Sequence, residues 1–251
     1  MADLIHLLDH KVRLYQPEQG FRTSQDAVLL AAACPAQGTQ SVLDLGCGVG
    51  GASFCLLWRE ENLALTGIDI EPLYLDLARK NAELNHKHAT FLHANTLHYR
   101  VDTPTRRFDH IICNPPFFQA GGHTASPILP TAAARGYLQD DETLEGWIKS
   151  AFENLTSKGS LTLIHQADKT DEIIRFLGKK FGSTEIIPIY TKPNEPAKRV
   201  IIKSFKDRKS PCTLHPGITL HRPDRSLTAS ANRLLRDGAT FETVLKEIDR
   251  L

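Results

Sequence analysis

The residues Asn114-Pro115-Pro116-Phe117-Phe118 directly follow the apolar run Phe108–Cys113. Two successive prolines remove two backbone donors, so they end a strand, and each favours an extended backbone in the residue before it. The strand therefore leads into a stiff turn that fixes the side-chain oxygen of Asn114 and the carbonyl of Pro115. A planar amine could donate to both oxygens while Phe117 stacks on the ring that carries it. The alternative is a proline-terminated strand with two core phenylalanines.

A second candidate site lies upstream, in Asp44-x-Gly46-x-Gly48-x-Gly50, which follows the apolar strand predicted at 41–45. Glycines permit a tight turn and let the backbone approach a ligand at the start of a helix. Such loops serve NAD, FAD and other nucleosides alike, so the loop alone does not discriminate between them. Because the Asp44 carboxylate would repel a pyrophosphate, a ligand with a positively charged or hydroxyl-rich face fits better.

Polar residues also follow the next two predicted strands. Asp69 ends the second strand, 25 positions after Asp44 and just before Ile70, where an acid can bind both ribose hydroxyls. Asn95 and Thr96 follow the third strand, and Asn95 occupies the position at which an adenine amine would be read. Ligands of doubly wound sheets lie at the carboxyl ends of strands, so we expect all these loops to converge.

A polar cluster, Thr23-Ser24-Gln25-Asp26, precedes an alanine- and leucine-rich segment that stops before Pro35. Thr23 or Ser24 can cap the helix that this segment predicts. The functional interpretation is that Thr23, Gln25 and Asp26 contact the charged amino-acid end of a cofactor. Capping alone is the alternative.

Composition limits the class of protein. With 251 residues and 41% hydrophobic content, the chain can bury the core of one domain with an appendage. We find no signal peptide and no apolar stretch long enough for a membrane span, which predicts a cytoplasmic protein. The cysteines include no CxxC pair and indicate reduced thiols. The histidines lack the spacing of metal ligands, so we expect no bound metal. We expect the histidines at surface or capping positions. The cysteines are Cys34, Cys47, Cys55, Cys113 and Cys212.

Charge is distributed unevenly along the chain. Residues 191–251 hold 13 Lys and Arg against 7 Asp and Glu, a net +6, whereas residues 1–190 carry −5. A basic C-terminal quarter on an acidic body indicates a polyanionic partner, although a solvated charged surface would give the same count. The predicted contacts are Lys198, Arg199, Arg222 and Arg225.

The alternation of strands and helices predicts an α/β Rossmann-like sheet of seven mostly parallel strands, closed by an antiparallel hairpin over 186–190 and 199–205. Residues 1–20 are expected to form a partly disordered lead with an edge hairpin around 12–16. The segment 119–131, rich in Gly, Ala, Ser and Pro, is expected to be a mobile lid or substrate loop. The remaining predictions are helices at 52–58, 73–84, 143–155 and 170–181 and strands at 63–69, 90–93 and 159–164.

The glycine loop, Asp69 and Asn114-Pro115-Pro116-Phe117, at these distances, resemble the class I S-adenosylmethionine-dependent methyltransferases that act on a planar nitrogen. More narrowly, the chain is similar to the bacterial family that methylates adenine N6 in valine tRNA next to the anticodon. The narrower resemblance rests on residues 24–31, the doubled Phe117-Phe118, Arg199-Val200 and His221-Arg222-Pro223-Asp224. Relatives often have Asp at the position of Asn95, and many carry Arg-His-Glu where this chain has Arg135-Gly136-Tyr137.

The resemblance implies a class I methyltransferase fold, S-adenosylmethionine as cofactor, S-adenosylhomocysteine as product and tRNA as substrate, with Phe118 and the four basic residues on the substrate side. It divides the chain into a lead and cofactor-covering helix (1–40), a catalytic domain (41–205) and a basic extension packed on it (206–251). Two alternatives stay open: another planar nitrogen, in an rRNA or DNA base or a protein glutamine amide, and a non-catalytic nucleoside-binding or assembly protein. The oligomeric state is open as well, with a monomer or a weak dimer as the possibilities.

Overall fold

A large mixed sheet forms the centre of the molecule in the computed structural model, which describes residues 2–20, 22–117 and 143–248. The strands are β1 (Ala2–Leu7), β2 (Val12–Pro17), β3 (Ser41–Leu45), β4 (Ala64–Asp69), β5 (Thr90–His93), β6 (Phe108–Cys113), β7 (Leu155–Gln166), β8 (Phe181–Tyr190), β9 (Arg199–Lys206), β10 (Thr213–Leu214) and β11 (Ile218–Thr219). The helices are α1 (Gln25–Ala33), α2 (Gly51–Arg59), α3 (Pro72–Leu84), α4 (Leu144–Asn154), α5 (Thr170–Leu177), α6 (Ala229–Asn232) and α7 (Phe241–Ile248).

The strand order in the large sheet is β10-β8-β9-β7-β6-β3-β4-β5, with β11 also pairing with β8. Strands β5, β4, β3, β6 and β7 are parallel to one another, and β9 runs antiparallel to both β7 and β8. The predicted seven-stranded, mostly parallel sheet with an antiparallel closing hairpin is therefore confirmed. Two short strands, β10 and β11, extend it along β8.

Helices cover both faces of the sheet, so its central strands are apolar on both sides. Neighbouring residues alternate between the two faces: Val42 joins one hydrophobic cluster and Leu43 the other. The first cluster contains α1, α2 and α7, and the second contains α4 and α5. Leu234, Phe241 and Val244 of the C-terminal extension belong to the first cluster, so the extension shares the core of the catalytic segment.

The N-terminal lead differs from the prediction. Strands β1 and β2 form an ordered two-stranded antiparallel sheet of their own, and they are not an edge hairpin of the large sheet. The amides of Asn81 on α3 and of Asn85 directly after it bind the backbone of β2: Tyr15 N donates to Asn81 Oδ1 at 2.6 Å and Arg13 N to Asn85 Oδ1 at 2.9 Å. These side chains satisfy backbone groups that would otherwise form an open edge.

Helix α5 is also shorter than predicted, because the chain enters a positive φ of 53° at Gly178 and β8 then begins at Phe181. Strand β7 is longer than the predicted 159–164, since it begins at Leu155 and ends at Gln166. Over the described ranges, no helix has the length and hydropathy needed to cross a membrane.

Candidate functional site

The carboxyl ends of four parallel strands lie side by side in the order β6-β3-β4-β5. This order places the predicted site residues in a row along one edge of the sheet, with Asn114 after β6, Asp44 on β3, Asp69 at the end of β4 and Asn95 after β5. Register supports the alignment, because Leu45 lies opposite both Ile68 and Cys113. The structure thus brings together loops that are distant in sequence.

A cleft opens between the glycine loop and the N-terminus of α1. Ser24 caps this helix, since Asp26 N donates to Ser24 Oγ at 3.2 Å. Gln25 is exposed and does not line the cleft. The lining residues are Thr23, Ser24, Ala27, Leu30, Asp44, Gly46, Cys47, Gly51, Ala52 and Asn114.

Asp44 is the buried acid of the cleft, with 3% of its surface exposed. Its Oδ2 accepts a hydrogen bond from Ser53 Oγ at 2.6 Å. Burial raises the pKa of Asp44 to about 7; the bond from Ser53 opposes this rise, and the negative charge of Asp69 adds to it. A buried carboxylate with so little compensation favours a positively charged group beside it. Sequence reasoning missed Ser53, a small polar residue in the apolar helix α2.

Asp69 anchors the glycine loop. Its Oδ2 accepts from Gly48 N at 2.8 Å and its Oδ1 from Glu71 N at 2.9 Å. Burial raises the pKa of Asp69, while these backbone bonds oppose the rise. Gly50, at the end of the loop, has a φ of 88°, and a Cβ there would lie 2.4 Å from the Phe54 ring, so only glycine fits.

The loop after β5 is the last of the four loops along this edge of the sheet. Asn95 Oδ1 accepts from Leu97 N at 2.8 Å, which forms a local turn, and the Thr96 carbonyl accepts from Ser150 Oγ of α4 at 2.6 Å. Thr96 is buried, whereas Ile70, after β4, is 42% exposed. Thr96 therefore connects this loop to α4, and Ile70 presents an apolar surface at the sheet edge.

The turn after β6 contains an unpaired acceptor. Asn114 Oδ1 is buried and accepts no hydrogen bond from any residue that the structure describes. Leaving a buried acceptor unsatisfied costs about 1–3 kcal/mol, so the position is suited to a donor supplied by a ligand. Pro115 is buried, and Phe117 is 37% exposed at the mouth of the turn.

Two side chains hold the Phe117 ring. The His165 ring lies 5.1 Å from it, centroid to centroid, with the planes at 86°. The Arg199 guanidinium carbon lies 4.5 Å from the Phe117 centroid, and Arg199 Nε donates to Asp26 Oδ2 at 3.0 Å. Arg199 therefore belongs to the site itself, and the other predicted basic contact at this point, Lys198, is exposed beside it.

The remaining basic residues, Arg222 and Arg225, are exposed on a turn closed by the pairing of His221 with Leu227. This turn follows β11, which runs along the carboxyl end of β8, and Leu220 N donates to the Tyr190 carbonyl at 2.8 Å. Since β8 is parallel to β7, the turn lies at the same sheet edge as Asn114.

Two histidines overturn the expectation of surface or capping positions. His165 is 3% exposed and packs on Phe117, and sequence reasoning missed it because a single histidine in an apolar strand carries no recognisable signal. His110 is also buried, with its ring nitrogens bonded to Ser160 Oγ and Gln40 Oε1. Phe118 and the predicted lid at 119–131 lie outside the described residues.

The chemistry of the cleft fits S-adenosylmethionine. The buried carboxyl of Asp44 in the cleft and that of Asp69 at the end of the neighbouring strand suit a ligand that carries a cation and hydroxyl donors. Asn114 lines the same cleft as Asp44, and its Oδ1 has no partner among the described residues. The glycine loop between strand β3 and helix α2 lets a nucleoside approach the backbone closely. Fold and site together define a class I S-adenosylmethionine-dependent methyltransferase.

Within this class, the chain belongs to the methyltransferase small domain family, whose profile matches residues 23–192. It is 29% identical over 189 residues to the tRNA1(Val) (adenine(37)-N6)-methyltransferase of Aliivibrio salmonicida, with 73% of this chain and 77% of that protein covered. The protein of the same name from Vibrio vulnificus strain YJ016 is 26% identical, with 73% and 75% covered.

Solved structures show the same fold. A predicted O-methyltransferase of Agrobacterium tumefaciens superposes with a TM-score of 0.69 at 25% identity, covering 86% of this chain and 98% of that one. The 16S rRNA N2 G1207 methyltransferase of T. thermophilus, solved with AdoMet and guanosine, gives a TM-score of 0.55 at 22% identity, covering 82% and 50%. These likenesses confirm the predicted fold class.

Proposed function

We propose that this methyltransferase transfers a methyl group to N6 of an adenine in tRNA, in the anticodon loop of valine tRNA. The observation that carries the proposal is the buried Oδ1 of Asn114, which has no hydrogen-bond partner among the described residues. Asn114 lines the cofactor cleft and precedes the exposed Phe117 by three residues. An amine on a planar ring satisfies both groups: it donates to the oxygen while the ring stacks on the phenylalanine. The names of the curated relatives support adenine N6 in tRNA as the acceptor.

When bound, S-adenosylmethionine supplies an electrophilic methyl group on a sulfonium; Asp44, the glycine loop, Asp69 and Asn95 would hold it. An exocyclic adenine amine is a weak nucleophile because its lone pair is delocalised into the ring. Asn114 Oδ1 and the Pro115 carbonyl would accept hydrogen bonds from its two N–H groups and stabilise the positive charge that develops on nitrogen. Their fixed positions would also align the nitrogen with the methyl group. The extra proton then leaves to water.

The partner is proposed from charge and topology. Lys198, Arg222 and Arg225 are exposed at the sheet edge that carries Asn114, where a nucleic-acid backbone could reach them. An adenine must leave its stack to reach the turn, and an unpaired loop base needs the least energy to do so. A tRNA substrate also implies that the protein acts in the cytoplasm.

The test is to incubate the protein and S-adenosylmethionine with total RNA from a strain that lacks the gene, and to map methylated nucleosides by mass spectrometry. We expect one N6-methyladenine in valine tRNA, formed more slowly by roughly 100-fold or more when Asn114→Ala replaces the wild type. A methylated rRNA base in this assay, or a methylated DNA base or protein glutamine in parallel incubations with DNA and protein of the same strain, would replace the proposed substrate but leave the assignment of the site unchanged. Tight cofactor binding without any methylated product would support the non-catalytic alternative.

A further inference from the structure

Arg199 joins two parts of the site that the sequence treats separately. On one side, its Nε donates at 3.0 Å to Asp26 Oδ2, in the first turn of the helix that borders the cofactor cleft. On the other, its guanidinium lies over the Phe117 ring at 4.5 Å. Asp26 and Phe117 are on different elements, and no backbone pairing links them.

Burial makes these contacts stronger than those of a surface arginine. The side chains of Arg199 and Asp26 are 30% and 10% exposed, whereas the paired arginine and acid on α5, Arg175 and Asp171, are 64% and 71% exposed. An ion pair shielded from water is screened less by salt, and a guanidinium over an aromatic ring gains most when it is desolvated. The planar guanidinium can bond the carboxylate at its edge while its face lies on the ring.

The second side chain in contact with the ring is His165, which is almost fully buried in β7. Burial lowers the pKa of His165, so the imidazole is neutral at physiological pH and adds no charge next to Arg199. Phe117 therefore contacts a nearly buried histidine and an ion-paired arginine. Its remaining exposed surface is what a base could stack on.

We propose that Arg199 is a positioning residue, which orients Phe117 for base stacking and couples that orientation, through Asp26, to the helix bordering the cofactor. This inference rests on the proposed function, because it assigns Phe117 the role of a base platform. It replaces the simpler expectation that Arg199 binds a backbone phosphate. The two roles predict different responses to salt concentration, to the substitution Arg199→Lys, and to combining Arg199→Gln with a second substitution.

The experiment is a double-mutant cycle that measures the kinetics of RNA methylation. The single variants are Arg199→Gln, Phe117→Ala and Asp26→Asn. The double variants combine Arg199→Gln with each of the other two substitutions. We expect Arg199→Gln to lower kcat/KM for RNA by about tenfold, the effect of one desolvated cation–π contact, with little change in the affinity for S-adenosylmethionine. In the Phe117→Ala or Asp26→Asn background, Arg199→Gln should lower it little further, because Arg199 acts through these two residues. Arg199→Lys should restore little activity, since an ammonium lacks the planar face.

A phosphate contact would give the opposite pattern. The slope of log K for RNA against log salt would flatten by roughly 0.7 in Arg199→Gln, lysine would rescue activity, and the effect would add to that of Phe117→Ala. Any of these results overturns the proposal, as does wild-type kinetics in Arg199→Gln. If that variant does not fold, Asp26→Asn tests the same link from the other side.

Arg175→Gln is the matched control, because it removes an arginine–carboxylate pair from an exposed helix, and we expect wild-type kinetics from it. Failure of the wild-type protein to methylate any RNA would refute the proposed function before the cycle begins. A failure of the positioning role appears only in the variants, so the two outcomes are distinguishable.

Discussion

At the scale of a single residue, a substitution of Asn114 can distinguish the methyl-transfer step from cofactor binding. Asn114→Ala removes the buried acceptor but none of the carboxylates of the cleft. We expect kcat to fall by roughly 100-fold or more, as for loss of one preorganised electrostatic group, while the dissociation constant for S-adenosylmethionine stays nearly unchanged. Initial rates and calorimetry measure the two quantities. Wild-type turnover in this variant would contradict the mechanism.

Asp69 has a different role, which calorimetry also tests. Asp69→Ala should weaken the binding of S-adenosylmethionine and of its demethylated product alike, by about 1.5–3 kcal/mol, because charge-assisted hydrogen bonds to the ribose are lost. The structure adds a second cause, since Asp69 also holds Gly48 N and Glu71 N. Asp76→Ala is the matched control, because Asp76 is an exposed acid on α3. Unchanged affinity in Asp69→Ala would remove Asp69 from the site.

At the scale of elements, a hydrogen bond links strand β3 to helix α2: Ser53 Oγ of α2 donates to the buried carboxyl of Asp44 on β3. The pKa of Asp44 rises from 3.8 to about 7 on folding, so the native state binds the proton more tightly than the unfolded chain. Its contribution to stability is therefore full below about pH 4 and is lost as the pH rises through about 7. We expect the free energy of unfolding of the cofactor-free protein to decrease over that range on this account.

Urea unfolding at about pH 5 and about pH 8 measures this contribution. Asp44→Asn cannot ionise, so its stability should fall less between the two pH values than that of the wild type. Asp76→Asn, on the exposed surface of α3, should behave like the wild type. An identical pH dependence in Asp44→Asn and the wild type would show that Asp44 does not titrate as its burial implies.

For the whole molecule, topology gathers basic residues at the sheet edge of the site. Lys198 precedes β9, and Arg222 and Arg225 follow β11; all three are exposed. Replacing Arg222 and Arg225 by glutamine should weaken tRNA binding and flatten the slope of log K against log salt by roughly 0.7–0.9 per lost phosphate contact. The affinity for S-adenosylmethionine should not change, because neither residue lines the cofactor cleft.

The opposite edge of the sheet supplies the control for this prediction. Lys179 and Lys209 are exposed there, beside the first residue of β8 and after the last residue of β9. Replacing both by glutamine changes the net charge equally but should leave the salt slope at its wild-type value. If the tail arginines only stabilise the fold, their variants will melt at a lower temperature with an unaltered salt slope, and the proposed RNA surface is wrong.

The sequence by itself determined the loops of the site and the class of fold, because both depend on local backbone restrictions and on the order of strands and helices. Glycines after β3 and prolines after β6 restrict the backbone wherever they occur, so the loops were recognisable without a structure. The rule that parallel strands present their carboxyl ends at one edge then predicted that Asp44, Asp69 and Asn114 converge, as they do. The class of fold followed from the same pattern of strands and helices.

Tertiary structure alone decided the contacts between distant segments. Arg199 and Asp26 are 173 positions apart, and nothing in either local sequence indicates that they form an ion pair over Phe117. His165 became a support of that ring only because β7 places it beside the turn after β6. The N-terminal hairpin is bound by asparagines in and directly after α3, 66 and 72 positions away. Such contacts depend on which elements pack together, and a sequence pattern of period two or 3.6 describes only the element itself.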